Sequence, residues 1–140
     1  ENVIPPIFLC QPMEKLDLYG TIDACVCCLD SVNYVTDPKK LKQAFQRVHT
    51  FLLPGGLFLF DVNTVEKLSA LDGQVFLDET EDTYCVWRAY TVEELTGFLR
   101  QAGFLGIKVY GDKKMRAPKP GEQRVFIVAR KDKRSKINGR

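Results

Sequence analysis

What this sequence lacks excludes several classes of protein. None of its apolar runs approaches the roughly 18 residues that a membrane-spanning helix needs. Its first residues do not show the basic segment followed by an apolar segment that marks a secretory signal peptide. The formal net charge is only +2, too small to indicate nucleic-acid binding. We therefore predict a soluble, cytoplasmic protein with no membrane partner, and nucleic acid is disfavoured as a partner.

The histidine and cysteine residues do not form a pattern typical of a metal or redox site. His49 is the only histidine and borders the apolar stripe of a predicted helix. Cys25 and Cys28 form a Cys-x-x-Cys pattern, but it lies inside a predicted strand and no second pair follows. The five cysteines are odd in number, which disfavours a disulfide framework. We predict reduced thiols that serve as small apolar residues, and no metal site.

The chain is organised around a strand that runs directly into polar residues. Residues 22–29 are apolar except for Asp23 and show no alternation, as expected of a strand buried on both faces of a parallel sheet. Asp30, Ser31, Asn33 and Tyr34 follow at once. Open α/β sheets bind their ligands at the carboxyl ends of their strands. This polar group is therefore the first candidate site.

A second strand with a polar end follows after one helix. Asp37 and Pro38 predict the start of that helix, and the Leu-Pro-Gly-Gly segment at 53–56 is expected to end it in a turn. Residues 57–60 read as a fully buried strand that leads into Asp61 and Asn63. A strand, helix and strand of these lengths form a right-handed crossover, so the two strands are predicted to be parallel neighbours.

The remainder divides into an ambiguous segment and a regular one. Residues 83–88 are a possible strand, and Trp87 in it either packs in the core or lines a substrate pocket. Thr91 with Glu94 predicts a capping box, and Gly103 predicts the end of the helix that follows. Residues 107–110 and 125–129 are predicted strands, and 132–140 a basic tail.

Four of these motifs, in this order, resemble a known family. Asp-Ser-x-Asn-Tyr, Leu-x-Pro-Gly-Gly and Asp-x-Asn-Thr are similar to the second half of a class I S-adenosylmethionine-dependent methyltransferase of the small-molecule bacterial type. Tyr-Thr-Val-Glu-Glu-Leu at 90–95, with Gln-Ala-Gly-Phe at 101–104, resembles the carboxyl end of the same family. The resemblance covers about residues 6–131.

The resemblance implies a Rossmann-like α/β sheet with strands in the order 3-2-1-4-5-7-6, the seventh being antiparallel. It assigns residues 7–10, 22–29, 57–61, 107–110 and 125–129 to strands three to seven. Strands one and two have no counterpart, and the sequence has no Gly-x-Gly pattern for the cofactor loop. The expected organisation is an incomplete methyltransferase domain over 1–131, with cofactor-side strands in 6–64, a variable, shortened substrate region in 65–89 and the closing helix and strands in 90–131.

The same resemblance implies a set of residues that bind S-adenosylmethionine. Members of the family carry Asp where this sequence has Pro12, so an acceptor for the adenine amino group is lost and Gln11 or the backbone has to replace it. Met13 matches the residue that packs on the adenine ring. The other matches lie along the methionine portion and beside the methyl group: Cys28, Leu29, Asp30 and Ser31.

For the reaction, the resemblance implies methyl transfer to a nitrogen, oxygen or sulfur atom of a small molecule, with no metal. Because the donor is already activated, the protein mainly aligns the reactants and excludes water. The catalytic candidates are Asp30 and Asp61, which could orient or deprotonate the acceptor, and Tyr34. Residues predicted to contact the substrate are Asn33, Tyr34, Asn63 and Trp87.

Alternatives stay open both for the completeness of the domain and for its function. Strand four normally pairs with strand one, so its edge is predicted to be open and to need either a missing amino-terminal half or a dimer partner. The sequence thus looks like a fragment that is inactive alone. The alternatives are a non-catalytic methyltransferase-like binding or assembly module, and another doubly wound α/β enzyme, which the Leu-x-Pro-Gly-Gly turn disfavours.

Overall fold

The computed structural model describes residues 3–69, 77–78, 83–84 and 86–134. Its main body is a four-stranded sheet with two long helices on one face. None of the helices among these residues has the length and apolar character needed to cross a membrane. The elements are β1 (Ile22–Cys27), α1 (Pro38–Phe51), β2 (Leu52–Asn63), α2 (Val65–Ser69), β3 (Leu77–Asp78), β4 (Thr83–Tyr84), α3 (Val92–Ala102), β5 (Phe104–Gly111) and β6 (Arg124–Lys131).

The strand order of the sheet is β1-β2-β6-β5. The first two strands are parallel, with Val26 opposite Leu59 and Cys27 opposite Phe60. β6 runs antiparallel to both β2 and β5. This is the predicted 4-5-7-6 portion of the family order with an antiparallel seventh strand, and the predicted fold class is confirmed.

Local sequence signals fix the ends of the two long helices. The side chain of Asp37 accepts a hydrogen bond from the Lys39 amide at 2.9 Å, which caps α1 as predicted. Thr91 and Glu94 form the predicted capping box at the start of α3, with hydrogen bonds of 3.1 and 2.8 Å. Gly103 ends that helix with a φ of 106°, a conformation that suits glycine.

The core lies on one face of the sheet, between the strands and the helices α1 and α3. Phe45 of α1 packs on Phe58 and Phe60 of β2, and all three rings are almost completely buried. The opposite face carries apolar side chains that are half-buried or exposed, namely Ala24, Val26, Leu57, Leu59, Tyr110, Phe126 and Val128. Burial of β1 and β2 on both faces was therefore a wrong prediction, because no described helix packs on this second face.

The strand predicted at residues 7–10 is absent from the described structure. These residues are exposed and make no strand pairing, and the side chain of Phe8 is 89% accessible. The physical reason is that a strand needs a neighbour. In the family order the third strand lies next to the second and is separated from the fourth, and β1 is an edge strand here.

The turn predicted at 53–56 is also wrong, because this segment belongs to β2. The pairing runs from Ile22 opposite Leu52 to Ala24 opposite Leu57, so the extra residues form a bulge. A Cβ atom on Gly56 would lie 2.9 Å from the Asp23 carbonyl oxygen, which explains the glycine at this close approach.

The remaining boundaries differ less from those predicted. The strands β2, β5 and β6 are longer than expected at both ends. In the ambiguous segment, Thr83–Tyr84 pairs with Leu77–Asp78, and Trp87 lies outside any strand. The end of the predicted basic tail, 135–140, lies outside the described residues.

Candidate active site

An open cavity of about 340 Å³ lies between β1, α1 and a 3₁₀ turn at Met13–Lys15. Four of the seven residues predicted to bind the cofactor line it: Gln11, Met13, Cys28 and Ser31. Most of the other lining residues are apolar and come from α1 and the neighbouring strands. A concave, mostly apolar space with a few polar groups is the usual form of a small-molecule site.

The other predicted cofactor residues are placed differently. Pro12 precedes the 3₁₀ turn and Leu29 is 76% accessible, and neither belongs to the cavity lining. The side-chain amide of Gln11 closes a loop by accepting from the Asp17 amide at 2.8 Å and donating to the Asp17 carbonyl at 3.1 Å. Its role as a replacement acceptor for adenine stays a prediction.

The turn after β1 is the most unusual backbone of the site. Leu29 and Asp30 both have left-handed conformations, with φ values of 58° and 47°. Such conformations cost a non-glycine residue about 1–2 kcal/mol and persist where the surroundings hold them, often at functional sites. This turn ends β1 earlier than the sequence predicted. Ser31 supports it by donating from its hydroxyl to the Cys28 carbonyl at 2.6 Å.

Asp30 is held by the polar end of β2. Its amide donates to Oδ2 of Asp61 at 3.1 Å, and its own Oδ2 accepts from Nδ2 of Asn63 at 2.8 Å. Asp61 and Asn63 are only 5% and 6% exposed. The structure thus brings together three predicted site residues from the carboxyl ends of the two parallel strands.

Two cationic residues that sequence reasoning missed complete this cluster. Nη1 of Arg124 lies 3.4 Å from Oδ2 of Asp61, and Nζ of Lys67 donates to Oδ1 of Asn63 at 2.9 Å. Lys67 lies in α2, four residues after Asn63 at the end of β2, so the short sequence separation was a usable signal. The approach of Arg124 depends on the antiparallel register of β6 and had no local signal.

Asn33 lies beside the cluster and is completely buried. Its Nδ2 donates to the carbonyls of Asn63 and Arg88 at 3.2 and 3.1 Å, and its Oδ1 accepts from the Asn63 amide at 2.9 Å. Its carbonyl also accepts from the Arg88 amide. These contacts tie the segment at 86–90 to β2, and the predicted substrate contact of Asn33 stays a prediction.

An aromatic pair stands next to Asn33. The rings of Tyr34 and Trp87 meet edge to face with their centroids 5.8 Å apart. Tyr34 is 46% exposed and Trp87 is half-buried. The two rings therefore form an accessible wall, positioned by the Asn33–Arg88 hydrogen bonds, at the same end of the sheet as Asp30.

Two of the thiols that line the cavity, Cys25 and Cys27, are not activated as nucleophiles. Burial raises the pKa of Cys25. Burial also raises the pKa of Cys27, to about 11, and the nearby Cys25 and Asp61 add to this shift. Both thiols consequently stay protonated near neutral pH. They serve as small apolar groups, in agreement with the chemistry of a site that has no nucleophile–base pair.

The chain is similar to known methyltransferases in sequence. No protein-family model matches the chain. A candidate methyltransferase of Geobacillus sp. (strain WCH70) is 26% identical over 160 residues, covering 89% of this chain and 65% of the relative. The candidate methyltransferase YqeM of Bacillus subtilis (strain 168) is 29% identical over 126 residues, covering 89% of this chain and 50% of the relative.

Solved structures agree with these relatives. The crystal structure of an S-adenosylmethionine-dependent methyltransferase from Clostridium acetobutylicum ATCC 824 matches with a TM-score of 0.82 and 24% identity, over 92% of this chain and 66% of that one. The chain has the class I methyltransferase fold. It spans between half and two thirds of the length of the curated relatives, so the methyltransferase fold is represented here by its later strands.

Proposed function

We propose that this protein takes part in methyl transfer from S-adenosylmethionine to a nitrogen, oxygen or sulfur atom of a small molecule. The observation that carries the proposal is the left-handed turn at Leu29 and Asp30. It joins the cavity lined by Cys28 and Ser31 to the polar cluster formed with Asp61. A donor and an acceptor placed on either side of this turn would meet at the carboxyl ends of β1 and β2.

The residues that line the cavity fit the cofactor in chemical character. Met13 and the apolar residues around it offer a surface for the adenine ring, and the strand end at Cys28 offers backbone groups for the methionine portion. When bound, S-adenosylmethionine supplies an activated methyl group. The position of Pro12 leaves the adenine amino group without a carboxylate partner, so Gln11 or a backbone carbonyl has to accept its hydrogen bond.

The protein groups on the acceptor side have distinct expected tasks. Asp61 is already engaged by the Asp30 amide and Arg124, which suits an orienting role. Within the described residues, Oδ1 of Asp30 makes no hydrogen bond, so this oxygen is the better candidate to orient or accept the acceptor's proton. Tyr34 and Trp87 would exclude water from one side of the acceptor and restrict its position.

The proposal extends to what covers β1. This strand is the edge of the sheet, and Val26 on it is 60% exposed. We propose that further strands pair with it in the functional protein, from the same polypeptide or from a second copy. The open backbone edge and the uncovered apolar face support this, since long apolar edges otherwise promote aggregation.

The test is a calorimetric titration with S-adenosylmethionine and with its demethylated product, S-adenosylhomocysteine. It is carried out on residues 1–140 and on the full polypeptide that the gene encodes. We expect weak binding to the former and micromolar binding, about −8 kcal/mol, to the latter. Transfer of a labelled methyl group to a panel of amines, alcohols and thiols then identifies the acceptor.

The outcomes separate the competing functions. Binding without transfer to any acceptor would favour the non-catalytic binding or assembly module, which the Pro12 departure supports. Absence of binding by the full polypeptide would contradict the proposal outright. Unchanged turnover after alanine substitution of Asp30, Tyr34 and Asp61 would contradict their assigned roles while leaving methyl transfer itself intact.

A further inference from the structure

We infer that Arg124 and Lys67 are positioning residues that hold the Leu29–Asp30 turn in its left-handed conformation from two sides. The inference rests on the proposed function only for its consequence, which is that the turn sets the geometry between cofactor and acceptor. Neither cation belongs to the lining of the cavity beside β1. Each acts on Asp30 through one intermediate side chain of β2.

The turn needs support from outside itself. Two consecutive non-glycine residues in the left-handed region are unfavourable, and neither Leu29 nor the aspartate side chain closes a local hydrogen bond that would offset this. Locally, the Asp30 carbonyl accepts from the Asn33 amide at 2.8 Å, and Ser31 donates to the Cys28 carbonyl. The Asp30 amide and carboxylate are instead held by residues more than 30 positions away, Asp61 and Asn63. Whatever fixes those two side chains therefore helps to fix the turn.

Arg124 fixes the first of them. A single oxygen, Oδ2 of Asp61, accepts the Asp30 amide at 3.1 Å and lies 3.4 Å from Nη1 of Arg124. Asp61 is nearly inaccessible to water, so its charge depends on these two partners. Without the guanidinium, the carboxylate would lose its charged partner and turn towards water, and the acceptor for the Asp30 amide would weaken.

Lys67 fixes the second of these side chains, Asn63, by setting the orientation of its amide group. Nζ of Lys67 can only donate, so it selects the oxygen of the Asn63 side chain, at 2.9 Å. The nitrogen of that amide is thereby directed at Oδ2 of Asp30, at 2.8 Å. Rotation of the amide by half a turn would place its oxygen against the Asp30 carboxylate, which is repulsive. Lys67 and the Asp30 carboxylate thus select the same orientation of the Asn63 amide, with Nδ2 towards the turn.

The turn is the connection between the two parts of the site. Cys28 and Ser31, directly before and after it, line the cavity, and Asp30 within it belongs to the polar cluster. A change in its backbone therefore alters both parts together. Loss of either cation is expected to affect cofactor affinity even though neither residue lies at the cavity.

The experiment compares the exchange of the Asp30 backbone amide with solvent in Arg124→Met and Lys67→Met, measured by nuclear magnetic resonance. Arg100→Met and Lys39→Met are the matched controls, because both side chains are exposed on helices away from the turn. We expect at least about tenfold faster exchange in each site variant and no change in the controls. Exchange of core amides should remain as in the parent protein.

Conservative variants and a binding measurement complete the test. Lys67→Arg and Arg124→Lys keep the charge and should restore most of the protection of Asp30, which a general loss of packing would not do. If Arg124→Met fails to fold, Arg124→Lys still decides, with intermediate exchange expected from its shorter reach. S-adenosylhomocysteine, titrated into the full polypeptide, should bind about tenfold more weakly in the methionine variants.

The possible failures are distinguishable. Unchanged Asp30 exchange in both methionine variants overturns the inference, whatever the protein binds. Absence of S-adenosylhomocysteine binding by the parent protein overturns the proposed function, whereas accelerated exchange in the variants would still support the positioning role. Equal acceleration in the controls would show a general loosening of the fold and would also overturn the inference.

Discussion

The two faces of the sheet carry similar side chains in different surroundings. On the first face, Phe58 and Phe60 are enclosed by α1, α3 and their neighbours. On the second face, Leu57 and Leu59 alternate with these rings along the same strand and are half-buried, while Val26 next to Leu59 is 60% exposed. The described residues cover one face and leave the other accessible.

The difference shows what an apolar run reports. An alternating strand predicts one solvated face, whereas a continuous run predicts cover on both faces. The runs in β1 and β2 are continuous, so their composition calls for more cover than α1 and α3 provide. The hydrophobic pattern of a strand predicts how many of its faces are covered. The structure shows that the described residues cover only one of them.

The largest expected effect tests the contrast between faces directly. Phe60→Ala removes a ring from the closed core and should lower the free energy of unfolding by about 3–5 kcal/mol. Leu59→Ala, one residue away on the other face, should cost only about 1–2 kcal/mol, because part of its surface is already in water. Urea unfolding of both variants measures the difference. Equal costs would show that the second face is closed in solution.

A smaller effect is expected where the core meets the end of α1. The fully buried Lys131 donates to the carbonyls of His49 and Leu52 at 2.8 and 2.9 Å, which satisfies the last turn of the helix. Lys131→Met should lower the free energy of unfolding by about 1–3 kcal/mol, because these carbonyls lose their partner. Lys108→Met, an exposed change on β5, is the control. Equal stability of the two variants would contradict the capping role.

His49 should make the free energy of unfolding depend on pH, with a smaller effect than the substitutions above. Burial lowers the pKa of this histidine below its usual 6.5, and the charge of Lys131 adds to the effect. The unfolded chain therefore binds the proton more readily than the folded protein. The stability is complete above the pKa that His49 has in the unfolded chain, and it falls as the pH drops towards the lower pKa of the folded protein. Urea midpoints at about pH 7.5 and about pH 5 should differ more for the parent protein than for His49→Gln. Identical differences would contradict this assignment.

The sequence predicted those parts of the fold that depend on local signals. The caps at Asp37, Thr91 and Gly103 are confirmed. The order of the last four strands, which the family resemblance implied, is confirmed as well. The strand at 7–10 failed because strand formation depends on a neighbour in space. The turn predicted at 53–56 was wrong because Pro-Gly-Gly occurs both in turns and in bulged strands.

The candidate site was predictable only in its first layer of residues. Polar residues after two strands predicted to be parallel neighbours made Asp30, Asp61 and Asn63 candidate site residues, and hydrogen bonds join these residues in the structure. The cations that hold them were missed. Arg124 reaches Asp61 through the register of an antiparallel strand, and the left-handed turn at Leu29 has no glycine to announce it.

The smallest effect on stability is expected at the exposed edge, and it tests the comparison from the other side. Val26→Lys places a charge on β1 where the side chain is already largely in water, so the free energy of unfolding should change by no more than about 0.5 kcal/mol. Leu59→Lys, in register with it on the same face, should cost clearly more because that position is half-buried.

The same substitution should nevertheless change how residues 1–140 associate. A lysine on an edge strand disfavours pairing between sheets, so light scattering at increasing concentration should show less self-association for Val26→Lys than for the parent chain. In the full polypeptide, a loss of more than about 2 kcal/mol from Val26→Lys would instead indicate that β1 is covered there, since burying an unpaired charge is costly. The size of that loss therefore distinguishes a second face that is open at β1 from one that another element covers.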